Sequence, residues 1–362
     1  MENPLKTFNQ LKPKQATGGM KELVDGSFLA YNSSRLREAC HVFIEKYSTE
    51  DVTVGVSVAG AMTPAGIGVS CLVPLMKAGF MDWMVITGAN LYHDLHFALG
   101  QPLYQGSSII NDCDLKSSGV VRIYDIFFEK DVLLQADVYV RDFCLSIAHK
   151  KRISSAEFSY LLGKRLLKEY GKNRDHSVLM TAAELGIPLF TSAPGDSALG
   201  MNMAVLFLKG TDIDFGAMID VNLTSAIVYG AKKAGGRSGV LLLGGGSPKN
   251  FILQTEPYIQ EILGFDSAGH DYFIQFTDAR ADTGGLSGAT PAEAVSWWKI
   301  SPDTLPDSVV CYGDTTVLLP ILVAYVLESG MRRTHKRLYD NLDYLLHEMK
   351  LDFMKSQKTA ES

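Results

Sequence analysis

Toward the carboxyl terminus, Pro291-Ala292-Glu293-Ala294-Val295-Ser296-Trp297-Trp298-Lys299-Ile300 places a lysine directly after two of the chain's three tryptophans. A lysine becomes a nucleophile when apolar neighbours strip water from it and lower its pKa. As a free amine it can attack a carbonyl or exchange with an imine. Indole faces can also enclose a cationic amine, and Glu293, six residues before Lys299, can hold a second ammonium. The same segment fits a plainer role, with Trp297 and Trp298 as core anchors and Lys299 reaching past them to water.

Two glycine clusters offer further chemistry. Gly244-Gly245-Gly246-Ser247-Pro248-Lys249-Asn250 follows an apolar run. Adjacent glycines let backbone N–H groups approach a pyrophosphate, and a helix starting there favours its charge. The spacing is not GxGxxG, so a tight strand–helix turn competes with that reading. Asp282-Thr283-Gly284-Gly285-Leu286-Ser287-Gly288-Ala289 is too glycine-rich for an element interior and reads as a functional or mobile loop. His93-Asp94-Leu95-His96 pairs two histidines but lacks a third ligand and the HExxH pattern, so no metal site is expected. A histidine assisting catalysis is the better use of the pair. The GxSxG elbow and the P-loop are missing.

These residues need a scaffold. Val52 to Val58 reads as a buried strand, followed by a loop through Gly66 and a helix to Ala78. Trp83 to Thr87 is a second strand, and Gly88-Ala89-Asn90 opens another helix. The unit returns as a helix from Ala217 to Lys233, a strand from Gly239 to Leu243, the Gly244–Asn250 loop and a helix to Leu263. Tyr272 to Phe276 is a further strand, ending at Thr277-Asp278-Ala279. Ser34 to Tyr47 is an amphipathic helix, Lys130 to Lys168 is mostly helical, and Thr315 to Phe353 forms two helices broken near Gly330. Strands alternating with helices, each strand ending in a glycine turn, predict an α/β fold. It is a Rossmann-like, doubly wound, mainly parallel sheet with helices on both faces. Residues 1–362 read as a single domain and 1–30 as a loosely ordered arm. Ligands in such sheets sit beyond the carboxyl ends of the strands, which here means around Gly60, Gly88 and Gly244.

Composition narrows the partners. The chain of 362 residues is 46% hydrophobic with a net charge of −6, which suits a large core and disfavours a binder of phosphate backbones. An acidic balance suits cationic partners such as polyamines. Cys40, Cys71, Cys113, Cys144 and Cys311 are scattered without CxxC spacing, so reduced thiols are expected. No apolar run is long enough to span a bilayer, and residues 1–17 lack the apolar core of a signal peptide. A soluble, cytoplasmic protein is expected.

Several motifs together resemble the deoxyhypusine synthase family. Glu293-Ala294-Val295-Ser296-Trp297-Trp298-Lys299-Ile300 is similar to that family's EAVSWGKI around its imine-forming lysine. Gly244 to Asn250, Thr87-Gly88-Ala89-Asn90, Tyr312-Gly313-Asp314-Thr315, Asp196 and Ser287-Gly288-Ala289 follow in the family's order. The resemblance implies a homotetramer with active sites between subunits, and it implies NAD. It implies that spermidine loses a hydride beside its secondary amine, and that the cleaved four-carbon aminoalkyl part forms an imine on the lysine. That group then passes to an acceptor amine, and the hydride returns. The acceptor is a protein lysine in deoxyhypusine synthases and putrescine in plant homospermidine synthases. Carried over, Lys299 is the imine lysine, while Trp297 and Glu293 bind the polyamine. Gly60, Ala61, Thr87, Gly88, Ala89, Asp196, Gly245, Gly246, Thr277, Asp314 and Thr315 line NAD.

The departures bear on the substrate. Eukaryotic members carry histidine where Asn250 stands, aspartates where Met201 and Leu286 stand, and a glutamate where His93 stands. Trp298 replaces a glycine. Losing two carboxylates weakens the grip on a cationic tail, and Asp282 or Asn202 is the expected compensation. This pattern resembles the bacterial branch called deoxyhypusine synthase-like. It implies an aminobutyl transferase with a small diamine as acceptor. A protein-lysine acceptor and a catalytically silent homologue stay open.

Overall fold

The structure is a computed structural model describing residues 11–360. Its centre is a six-stranded sheet of β1 (Val52–Val58), β2 (Trp83–Ile86), β3 (Leu189–Phe190), β4 (Arg237–Leu243), β5 (Tyr272–Thr277) and β6 (Ser308–Tyr312). All neighbours are parallel, in the order β6-β5-β4-β1-β2-β3. The order turns back between β1 and β4, the switch point where doubly wound sheets bind ligands. Val58 pairs with both Ile86 and Leu243, so the carboxyl ends of β2, β1 and β4 finish level.

Both faces of the sheet are buried, which is why its strands read as nearly continuous apolar runs. Leu241, Leu243, Met84, Ile86, Ile274 and Phe276 point to one core. Val240, Leu242, Trp83, Val85 and Phe273 point to the other. Gly55 of β1 makes room for the second core, since a Cβ there would stand 2.7 Å from the Trp83 ring.

The helices used below are α1 (Met20–Ser27), α2 (Tyr31–Val42), α3 (Gly88–Ala98), α4 (Lys130–Ser146), α5 (Ser155–Tyr170), α6 (Ala198–Phe207), α7 (Ala217–Lys233), α8 (Gly246–Leu253), α9 (Pro291–Ser296), α10 (Thr315–Glu328) and α11 (Leu342–Ala360). At the amino edge of the sheet, buried Arg333 donates to Val52 O at 2.7 Å and to Asp82 Oδ2 at 3.0 Å.

Several expectations need correction. Ser247 to Asn250 is the first turn of α8 rather than loop, because Gly246 (φ +59°) already turns the chain and Pro248 is tolerated in a first turn. The helix stops at Leu253 and resumes in short pieces instead of running on to Leu263. Strands β3 and β6 and a small antiparallel sheet (Tyr104–Gln105, Val120–Ile123 and Ile126–Glu129) were not expected. Of the stretch read as a loose arm, residues 1–10 lie outside the described residues. Met20–Ser27 is helical, with Val24 fully buried and Lys21 Nζ donating to Tyr325 OH at 2.9 Å.

Candidate active site

Every loop expected to face the cofactor leaves the carboxyl end of a strand, and the loops touch one another. Thr87 caps α3, and its Oγ1 donates to Gly60 O at 2.6 Å. Asn90 Oδ1 accepts from the amides of Met62 and Thr63, so the loop containing Gly60 and Ala61 is fastened to the start of α3. A Cβ on Gly88 would meet Ser197 Oγ at 2.3 Å, so the loop that carries Asp196 approaches the start of α3 at Ser197. Ser247 Oγ donates to Ser192 Oγ at 2.8 Å, linking α8 to the β3 loop. Gly313 N donates to Thr277 O at 2.9 Å, and Asp314 caps α10 by accepting from Thr316 N at 2.7 Å.

The edge fits a dinucleotide. Gly60 (φ +61°) and Gly246 (φ +59°) have no atom within 4 Å of where a Cβ would stand, so backbone there is open to a ligand. Helices α3, α8 and α10 begin at this edge and direct amides and positive dipole ends toward it. Beside Gly88, buried Thr191 Oγ1 has no hydrogen-bond partner among the described residues.

Lys299 lies elsewhere, on the face of the sheet beside β5. Thr290 accepts from Glu293 N and Pro291 starts α9, which ends at Ser296. Trp298 then takes a left-handed conformation (φ +55°), and the chain turns Lys299 inward. Such a φ is one that glycine adopts without a Cβ clash and a tryptophan rarely takes. The Lys299 backbone is clamped to the amino end of β5. His270 N donates to Lys299 O at 2.9 Å, and Ser301 N donates to His270 O at 3.0 Å. The His270 ring is fully buried, 2.7 Å from Ser238 Oγ.

The Lys299 side chain enters a cavity of about 320 Å³ shared with Asn250, Glu293, Trp297, Leu286 and Glu261. Its Nζ donates to Asn250 Oδ1 at 3.0 Å and lies 6.0 Å from the Trp297 ring centroid. Burial pushes its pKa down, and the Glu293 charge partly opposes that. Trp297 and Trp298 are more than half exposed, at 59% and 52%, so they are not core anchors.

Sequence reasoning missed Lys249. It appeared only as a motif letter, yet it is buried in the same cavity. Its Nζ donates to Gln275 Oε1 at 3.0 Å and to the Ser287 and Ala289 carbonyls. Burial, and then the neighbouring Lys299 charge, push its pKa down to about 8. The Ser287 Oγ accepts from Gly246 N at 2.9 Å. The Asp282–Ala289 loop is thus a wall with the dinucleotide edge on one side and the Lys299 cavity on the other.

Three expected residues do not join this cavity. Asp282 is ion-paired with Arg280 within its own exposed loop. Asn202 is held by Arg141 and Asp137. His93 packs on His96, ring nitrogens 3.1 Å apart, with burial lowering its pKa to about 4. Met201 is exposed on α6.

Sheet order and a glycine-lined carboxyl edge define a doubly wound α/β protein with a half-buried lysine in a cavity beside it. The family model for deoxyhypusine synthase matches residues 24–326. A Nostoc punctiforme protein named "Deoxyhypusine synthase-like protein" is 52% identical over 344 residues, covering 94% of this chain and 88% of its own. "Probable deoxyhypusine synthase 2" of Methanosarcina mazei is 38% identical over 319 residues, covering 87% and 89%. A crystal structure from Entamoeba histolytica carrying the same family name superposes with a TM-score of 0.56 at 14% identity, covering 89% of this chain and 98% of that one. The chain belongs to the deoxyhypusine synthase family. No helix among the described residues is long and apolar enough to cross a membrane.

Proposed function

We propose that this protein is an NAD-dependent aminobutyl transferase that works on spermidine through an imine at Lys299, with a small diamine as acceptor. The observation that carries this reading is the Lys299 amine. It is desolvated, 3.0 Å from Asn250 Oδ1, in a cavity faced by Glu293 and Trp297. NAD would supply a hydride acceptor and donor for the donor amine. Gly60, Ala61, Thr87 to Ala89, Asp196, Gly245, Gly246, Thr277, Asp314 and Thr315 would hold it.

The chain's own groups do the rest. Partial burial lowers the Lys299 pKa and so favours the free amine that can attack the oxidised donor. Asn250 Oδ1 accepts one Nζ hydrogen and aims the remaining lone pair. Trp297 covers the polyamine's cationic chain and Glu293 pairs with its terminal ammonium. Lys299 adds to the donor imine carbon, the propylamine part leaves as a diamine, and the four-carbon part stays on Lys299. A family resemblance also supports a homotetramer in the cytoplasm.

Borohydride trapping tests this. After incubation with NAD and spermidine, reduction is expected to leave one aminobutyl group on the Lys299 peptide and none on Lys299→Ala. An unmodified Lys299 peptide sinks the reading.

A further inference from the structure

A second cavity, about 400 Å³, adjoins the first. Asn250, Gln254, Pro257 and Glu261 line both. The common wall therefore includes the amide that receives Lys299 Nζ. Behind it the second cavity is lined by Thr224 and Ser225 of α7, Ser247 of α8, and Tyr258.

The chemistry of this second space differs from the first. The first contains Lys249 and Lys299, whereas the second has no lysine or arginine and one carboxylate, Glu261. Glu261 makes no ion pair among the described residues, unlike nearby Glu256, which Lys232 neutralises at 2.7 Å. Ser225 is 1% exposed, and its Oγ has no hydrogen-bond partner among the described residues. A buried hydroxyl is rarely left unpaired without a missing donor or water. Its free lone pairs can accept an N–H, and the exposed Glu261 carboxylate at the mouth of the cavity suits a donor carrying positive charge. Two acids thus divide the space: Glu293 faces the Lys299 cavity alone, and Glu261 faces both.

We propose that the second cavity is the acceptor subsite and takes a small aliphatic diamine. Glu261 holds its distal ammonium, Ser225 Oγ accepts a further N–H, and the near amine passes Asn250 to reach Lys299. This rests on the imine at Lys299 proposed above. The acceptor's neutral amine adds to the imine carbon, forming a new C–N bond. Both protons of that nitrogen move to Lys299 Nζ, one on addition and the second as the carbon–Nζ bond breaks. Lys299 is released as a free amine, and the product is an imine between the four-carbon group and the acceptor. No redox step is involved.

The test separates loading from discharge. Lys299 is loaded with labelled spermidine and NAD, then challenged with putrescine or with n-butylamine before borohydride quenching. The wild type is expected to discharge its label at lower concentrations of putrescine than of n-butylamine. With discharge normalised to the label each protein has loaded, Glu261→Gln should need roughly ten- to a hundredfold more putrescine and lose its preference for the diamine. Ser225→Ala should weaken putrescine discharge several-fold in the same sense. Unchanged putrescine preference in Glu261→Gln overturns the subsite. So does discharge by a peptide-borne lysine but not by free diamine. Failure of the wild type to load strikes the imine itself, and the subsite with it.

Discussion

Two lysines of opposite fate share the candidate site. Lys299 is desolvated but faces Glu293, so the carboxylate keeps its pKa from falling further. Removing that charge disfavours the ammonium, so Glu293→Gln should shift the pH midpoint of imine formation with a simple aliphatic aldehyde to lower pH. Borohydride trapping across a pH series reads it, and an unmoved or raised midpoint contradicts the assignment. Lys249 sits near pKa 8, below its ordinary 10.5. Between those values the unfolded chain binds a proton that the folded chain does not, so folding gains stability as pH rises through that window and loses it as pH falls back. Lys249→Met should lack this rise, and denaturant melts at pH 7.5 and 10 would show parallel behaviour of both proteins if the idea is wrong. At this scale, residue types and family order were enough to place Lys299, Glu293, Trp297 and Asn250 in one cavity. Lys249 was hidden because its significance comes from Gln275 and two backbone carbonyls, which adjacency in sequence does not reveal. Asp282 looked available because Arg280, its ion-pair partner, was not weighed.

At the level of elements, the strands with apolar runs were legible and the short ones were not. β1 and the first helix-flanked strands announce themselves by length and by the glycines that end them. β3 is two residues long, and no periodicity can be read in it. The main functional element is the Asp282–Ala289 wall, pinned by Gly246 N to Ser287 Oγ at 2.9 Å and by Lys249 to two carbonyls. A Cβ on Gly245 would stand 2.4 Å from Ser287. Gly245→Ala therefore pushes the wall away, a strain of about 1–3 kcal/mol. The variant should melt slightly lower, and NAD should bind at least about tenfold more weakly by titration of its protein-fluorescence quenching. Wild-type affinity would show that the wall does not register the cofactor loops.

For the molecule as a whole, the parallel doubly wound architecture followed from strand–helix alternation, while the subunit surface did not. Phe207 and Leu208 are strongly exposed, and with Met201 they line a groove of about 920 Å³ at α6. Contiguous apolar surface of that kind marks association, in keeping with the proposed tetramer. Leu208→Arg combined with Phe207→Arg should give a smaller species in light scattering, and an unchanged mass would place the subunit contacts elsewhere. The clamp between His270 and the Lys299 backbone carries a further consequence. His270 is fully buried between β4 and α8, so its amide and that of Ser301 open only when the sheet does. The Asp282–Leu286 stretch of the wall across the cavity is exposed, and the bonds that pin the wall lie beyond it at Ser287 and Ala289. On warming, amide exchange would sweep through the wall while the lysine's own mooring still held. The molecule would forget how to enclose its substrate well before it lost the amine that is meant to react with it.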